Sequence, residues 1–125
     1  MEPNQLRSCI QACYDCAQAC DKCSAACLQE GDVAMMARCI ELDDECAAIC
    51  RLSAQFMGRN SDHARELCQL CAVICDACAE ECSSHQAQHC QDCAAACRRC
   101  AEECRRMENT VRPSGAPVGA HAGTH

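Results

Sequence analysis

The sequence has no tryptophan, one tyrosine and one phenylalanine, so aromatic rings add little to any core and offer no stacking platform for nucleic-acid bases. A single lysine, and 18 acidic residues against 11 lysines and arginines, leave a net charge of −7. That balance excludes the basic surface that a phosphate backbone requires, and no nucleic-acid partner is expected. No run approaches the roughly eighteen consecutive apolar residues of a membrane span, and Met1 to Ser8 holds no basic region followed by an apolar one. A soluble cytoplasmic protein with no membrane partner is the reading. Branched and aromatic carbon is scarce as well: Leu, Ile, Val and Phe together number 15 of 125 residues. At about 25 cal/mol per Å² of buried apolar area, so few large side chains cannot build an ordinary core for one domain of this size.

What fills the gap is 22 alanines and 19 cysteines. The cysteines fall into four groups: Cys9, Cys13, Cys16, Cys20, Cys23 and Cys27; Cys39, Cys46 and Cys50; Cys68, Cys71, Cys75, Cys78 and Cys82; Cys90, Cys93, Cys97, Cys100 and Cys104. Within most of each group the spacing alternates between three and four, which places every thiol of a group on one stripe of an α-helix, whereas a strand needs period two. Four stripes predict four helices, near 4–29, 32–57, 61–83 and 85–108. The punctuation agrees. Gly31-Asp32 reads as a stop and an N-cap, Gly58-Arg59-Asn60-Ser61 repeats that pattern, and Ser83 and Gln86 have the spacing of a capping box. Connections this short force antiparallel neighbours, so the fold is an all-α, up-down-up-down four-helix bundle with a cysteine-lined core over 1–108. Residues 109–125, rich in Thr, Pro, Gly, Ala and His, read as a flexible tail. Charged residues off the stripes, among them Asp15, Asp21, Lys22, Glu80, Glu81, Arg98, Arg99, Glu102 and Glu103, read as a solvated face.

An odd number of thiols does not suit a purely disulfide-paired monomer, and a reducing cytosol turns a cysteine-rich chain into a metal or redox candidate. Cys-x-x-x-Cys occurs eight times, as Cys9/Cys13, Cys16/Cys20, Cys23/Cys27, Cys46/Cys50, Cys71/Cys75, Cys78/Cys82, Cys93/Cys97 and Cys100/Cys104. Residues four apart on a helix lean the same way, so two sulfurs converge on one small ion. Cu(I) is soft, tolerates two thiolates and fits best; zinc needs four ligands, which facing helices could supply. Charge sets the stoichiometry: buried thiolates must be neutralised, and on the order of one monovalent ion per sulfur does so. The chain therefore reads as a non-enzymatic store for many Cu(I) ions, serving detoxification, supply or both. Two other readings stand beside it, a general thiolate buffer for zinc or other soft metals, and a redox-responsive thiol protein cycling through disulfides. No nucleophile with its own base partner stands out from the repeat.

Extending the stripes distinguishes the two ends of the bundle. One runs into Leu6, Met57, Ala64 and Met107, with Phe56 and Leu67 beside them, and reads as plugged. The other runs into Met36 and His85, with Met35 and His89 alongside, all soft or borderline metal ligands. Copper is expected to pass at this second end, exchanged with copper-donor or acceptor proteins or small thiols. Asp43 occupies a stripe position, four after Cys39 and three before Cys46, where another cysteine is due. A carboxylate is a poor Cu(I) ligand, so Asp43 either bonds a protonated thiol or marks where the second helix opens to solvent. His63, His121 and His125 read as surface residues.

These features, namely the four-helix pattern, repeated pairs such as Cys16/Cys20 and Cys78/Cys82, and the His/Met cluster at one end, make the chain resemble the bacterial copper storage proteins, in their cytosolic branch. The resemblance covers about residues 4–108. It implies a bundle whose core cysteines hold many Cu(I) ions, a mouth with His and Met residues, and assembly into a homotetramer.

Overall fold

In the computed structural model, which describes residues 3–108, the chain forms four α-helices, with no strand among the described residues. They are α1 (Pro3–Cys27), α2 (Ala37–Gly58), α3 (Ala64–Ser83) and α4 (Gln88–Glu108), with one 3-10 turn, Val33–Met36, ahead of α2. The expected tail, 109–125, lies outside the described residues. Alanine, the best helix former, recurs throughout, and the only proline and glycine in the helices stand at their ends, Pro3 opening α1 and Gly58 closing α2. Helix α1 packs against α2 and α4, and α3 packs against the same two. Neighbours run antiparallel: along α1, Cys13 meets Cys104 of α4 and Cys23 meets Cys90, while Cys16 meets Cys46 of α2 and Cys23 meets Cys39. This is the up-down-up-down bundle that the spacing predicts.

The helix ends depart from expectation, each for a local reason. Asp32 caps the 3-10 turn rather than α2, its carboxylate accepting from the Met35 N–H at 3.2 Å, and α2 begins only at Ala37. That turn buries Met36 and leaves Met35 67% exposed. At the second break Asn60, not a glycine, takes the left-handed backbone, with φ 55, a conformation asparagine tolerates better than most residues. The Ser61 hydroxyl then accepts from the His63 N–H at 3.0 Å, and α3 starts at Ala64 rather than 61. Ser83 and Gln86 form no capping box, because Ser83 still belongs to α3 and donates to the Glu80 carbonyl at 3.0 Å. Helix α4 accordingly starts at Gln88 rather than 85, and α1 stops at Cys27 rather than 29.

All 19 cysteines are free and completely buried. Ala17, Ala47, Ala72, Ala79, Ala94 and Ala101 bury beside them, and side chains this small let the four helices approach closely. Met57, Met107 and Ala64 close one end, with Leu6 and Leu67 packed against them, so that end is plugged as expected. Outside, Arg51 pairs with Asp21, Arg99 with Asp15 at 3.2 Å, and Arg105 with Asp76. These ties join α1 to α2, α1 to α4 and α3 to α4, but exposed pairs contribute only about 0.2–1 kcal/mol each. The charged face is solvated as expected except at Glu103, which is 8% exposed and accepts from Arg106 at 2.7 Å.

Candidate metal centre

Stripes of alternating three and four, packed antiparallel, stack the inward side chains in layers. Upward from the plugged end, Cys13, Cys50, Cys71 and Cys100 form one layer, joined by Cys50–Cys71 and Cys13–Cys100 sulfur separations of 3.6 Å. The next is Cys16, Cys46, Cys75 and Cys97, where Cys46 lies 3.5 Å from Cys75 and Cys16 lies 3.6 Å from Cys97. Above it come Cys20, Asp43, Cys78 and Cys93, then Cys23, Cys39, Cys82 and Cys90, in which Cys39 and Cys82 are 3.4 Å apart. Cys9, Cys68 and Cys104 lie below the first of these layers and Cys27 lies at the top, 3.9 Å from Cys23 and Cys39.

Five of the eight Cys-x-x-x-Cys pairs, Cys23/Cys27, Cys46/Cys50, Cys71/Cys75, Cys78/Cys82 and Cys93/Cys97, hold their sulfurs 3.8–4.0 Å apart. Contacts between helices are as short or shorter, so the thiols are a continuous lattice rather than isolated pairs. Groups of four whose ligand atoms all lie within 4.8 Å of one another include Cys13/Cys71/Cys100/Cys104, Cys16/Cys46/Cys50/Cys75, Cys16/Cys20/Cys46/Cys97, Cys20/Cys78/Cys93/Cys97 and Cys23/Cys27/Cys39/Cys90. Each draws on three helices, and Cys16, Cys20, Cys46 and Cys97 each serve two groups. Shared soft donors in a buried core can bridge neighbouring thiophilic ions. Burial pushes the Cys27 thiol up to about 11, so without metal this site holds a proton at neutral pH.

Asp43 does not open to solvent; it is completely buried. Its Oδ1 accepts from Cys78 at 3.2 Å, Cys93 at 3.3 Å and Cys82 at 3.4 Å, and its Oδ2 accepts from Cys39 at 3.8 Å. Loss of hydration is the chief cause that pushes its pKa up to about 9. The carboxyl is therefore held neutral among thiols. A second substitution in the α2 stripe escaped the sequence reading. Ser53, three after Cys50 and four before Met57, is completely buried and donates to the Leu67 carbonyl at 3.3 Å, so the spacing alone marks it as an inward residue.

At the other end the sulfurs are completely buried too, and the four candidate His and Met residues around them have different surroundings. His89 Nδ1 lies 3.4 Å from the Cys23 sulfur and 3.5 Å from the Cys90 sulfur, while Nε2 is 2.8 Å from Glu30. Burial opposes protonation of this ring, but the hydrogen bonds it donates to Glu30 and Cys23 outweigh it and hold its pKa above the ordinary imidazole value. His85 instead bonds Glu81 at 2.8 Å. Met36 packs in the core cluster, whereas Met35 faces outward. Glu30, the orienting partner of His89, sits in the turn after α1 and carries no sequence signal of that role. His63 is exposed as expected, and His121 and His125 lie outside the described residues.

With this geometry in hand, comparison with known proteins is specific. Residues 2–109 match the family described as copper storage protein. The Cu(I)-bound copper storage protein BsCsp3 is 47% identical, with a TM-score of 0.80 over 83% of this chain and 98% of that one. A cytosolic copper storage protein from Streptomyces lividans, solved during copper loading, is 38% identical, with a TM-score of 0.82 over 85% of this chain and 93% of that one. The cysteine-rich protein YhjQ of Bacillus subtilis (strain 168) is 49% identical over 78 residues, which are 62% of this chain and 72% of the relative.

Proposed function

We propose that this chain, which belongs to the copper storage protein family, stores many Cu(I) ions on the thiolates of its 19 core cysteines. The observation that carries the reading is the lattice of overlapping four-sulfur groups running through the buried core of the bundle. A thiolate loses its proton to take each ion, and one Cu(I) per thiolate leaves the interior without net charge. Zinc fits the same spacing, since a tetrahedron with Zn–S of about 2.3 Å requires sulfurs about 3.8 Å apart, close to the separations seen. Each such site, however, leaves two uncompensated negative charges in the core, which favours the monovalent ion. The role is storage rather than catalysis, and the cytosolic description of the Streptomyces lividans relative supports a cytoplasmic one.

Anaerobic titration of the reduced apoprotein with Cu(I) against a competing chelator tests this directly. Uptake is expected near one ion per cysteine, with helicity present before metal. Saturation near one ion per four cysteines would move the assignment to zinc buffering, and reversible inter-helix disulfides without metal uptake would move it to thiol redox chemistry.

Copper passes through the end that holds His85, His89 and Met36, where His89 alone of the two histidines reaches sulfur. Replacing His89 by alanine is expected to slow loading at least about ten-fold, a factor worth about 1.4 kcal/mol of barrier, and His85→Ala to slow it less, with capacity unchanged in both. Stopped-flow loading checks it; equal rates in both variants and the parent would remove the gate. The exposed Leu70 and Val73, on one face of α3 with Ala77, supply apolar surface that a second copy would cover, which supports the homotetramer implied by the family resemblance.

A further inference from the structure

A groove of about 280 Å³ lies at the His89 end of the bundle, between α1 and α4, lined by Asp15, Gln18, Ala19, Lys22, His89 and Asp92. Its charges are arranged unusually. Lys22 makes no ion pair among the described residues, and Asp92 takes only a neutral hydrogen bond, from the Gln88 amide at 2.8 Å. A cation and an anion thus share one small groove without pairing with each other. Asp15, by contrast, is already occupied by Arg99 at 3.2 Å and Gln11 at 2.8 Å. His89 belongs to both places at once: it walls the groove, and its Nδ1 reaches the sulfurs of Cys23 and Cys90 at 3.4 and 3.5 Å.

We infer that this groove receives a low-molecular-weight thiol with free α-amino and α-carboxylate groups, which carries Cu(I) to the bundle and docks with its carboxylate on Lys22 and its ammonium on Asp92. The inference rests on the copper-storage reading. The volume lies at the small end of ligand pockets, which admits a molecule of a few amino-acid residues and no folded partner. Opposite charges held apart suit a zwitterion, because each end of the ligand meets its complement, and a neutral thiol gains from neither. His89, which walls the groove and touches the Cys23 and Cys90 sulfurs, is where the sulfur of a carrier so held has to arrive. The bond from carrier sulfur to Cu(I) breaks as a bond from Cu(I) to the sulfur of Cys23 or Cys90 forms. The proton of that cysteine leaves on the carrier sulfur, and copper stays in the +1 state.

The test loads reduced apoprotein from Cu(I) complexes of four thiols: L-cysteine, 3-mercaptopropionate, cysteamine and 2-mercaptoethanol. Ultraviolet sulfur-to-copper absorbance gives the rate, and circular dichroism confirms that each variant is folded. With L-cysteine the rate is expected to saturate as the complex is raised. Lys22→Glu should slow loading from L-cysteine and 3-mercaptopropionate roughly five-fold, and Asp92→Lys should slow it from L-cysteine and cysteamine by a similar factor, while 2-mercaptoethanol stays within about two-fold. Variants that slow all four complexes alike, or none, would overturn the groove, as would a rate that stays linear in complex concentration. The final copper content of the same samples reports separately on storage: a content far below one ion per cysteine in the parent protein counts against the storage reading, not the groove.

Discussion

Filling the reduced apoprotein with Cu(I) is expected to raise its thermal midpoint by at least about 20 °C. The empty bundle is held by small side chains and exposed ion pairs, and its core has few of the branched residues that dominate burial elsewhere. Copper changes the kind of bond that joins the helices. Each four-sulfur group draws on three of them, so an ion there cross-links α1 to its neighbours as hydrophobic contacts between cysteine and alanine do not. Binding only to the folded state adds stability by mass action, and a single structural zinc contributes about 10–16 kcal/mol by the same logic. In a domain of this size about 1 kcal/mol moves the midpoint by roughly 4–8 °C, so a small part of that binding energy suffices. Thermal melts followed by far-ultraviolet circular dichroism, before and after loading and again after chelator treatment, check it. A midpoint unmoved by metal would place the copper outside the core, and a rise that survives complete copper removal would point to disulfides instead.

The helices and their topology were legible in the sequence because a thiol every three or four residues is a one-dimensional record of a helix face. Which end is plugged was legible for the same reason, since Met57 and Met107 simply continue two stripes. Lateral relations were not. Whether Cys16 meets Cys46 and Cys97 in one layer depends on how far each helix slides along its neighbours, and that is fixed by packing rather than by spacing. The mouth shows the limit at single-residue scale. Met35 and Met36 are adjacent and chemically alike, and only the 3-10 turn capped by Asp32 decides that one is buried and the other exposed. His85 and His89 are likewise alike in sequence, but the later start of α4 puts His89 over the Cys23 and Cys90 sulfurs and leaves His85 to Glu81. Ser53 was legible and needed only one more step along the α2 stripe.

Replacing Asp43 by asparagine is expected to stabilise the reduced apoprotein, by an amount that grows with pH and reaches about 2–4 kcal/mol at pH 7. The groups that face this carboxyl are the thiols of Cys39 on its own helix, Cys23 on α1, Cys78 and Cys82 on α3 and Cys93 on α4, with no cation among them. From an ordinary carboxyl value of 3.8, which the unfolded chain keeps, burial in the folded chain raises it to about 9. Below the lower value both states are protonated and folding carries no penalty. As pH rises past it the unfolded chain gives up a proton that the folded chain keeps, so stability falls by about 1.4 kcal/mol per unit until the folded carboxyl itself ionises. Asparagine keeps the shape and an acceptor oxygen for Cys78 and Cys93, has no proton to lose, and meets only weak sulfur acceptors for its amide hydrogens, which offsets part of the gain. Guanidinium unfolding of both proteins under reductant from pH 5 to 8 measures the difference. A constant difference across that range would show that Asp43 is ionised in the folded apoprotein. If the difference grows with pH as expected, Asp43 adds no charge to the core of the apoprotein at neutral pH, and the first ions taken up are balanced by the protons that thiols release.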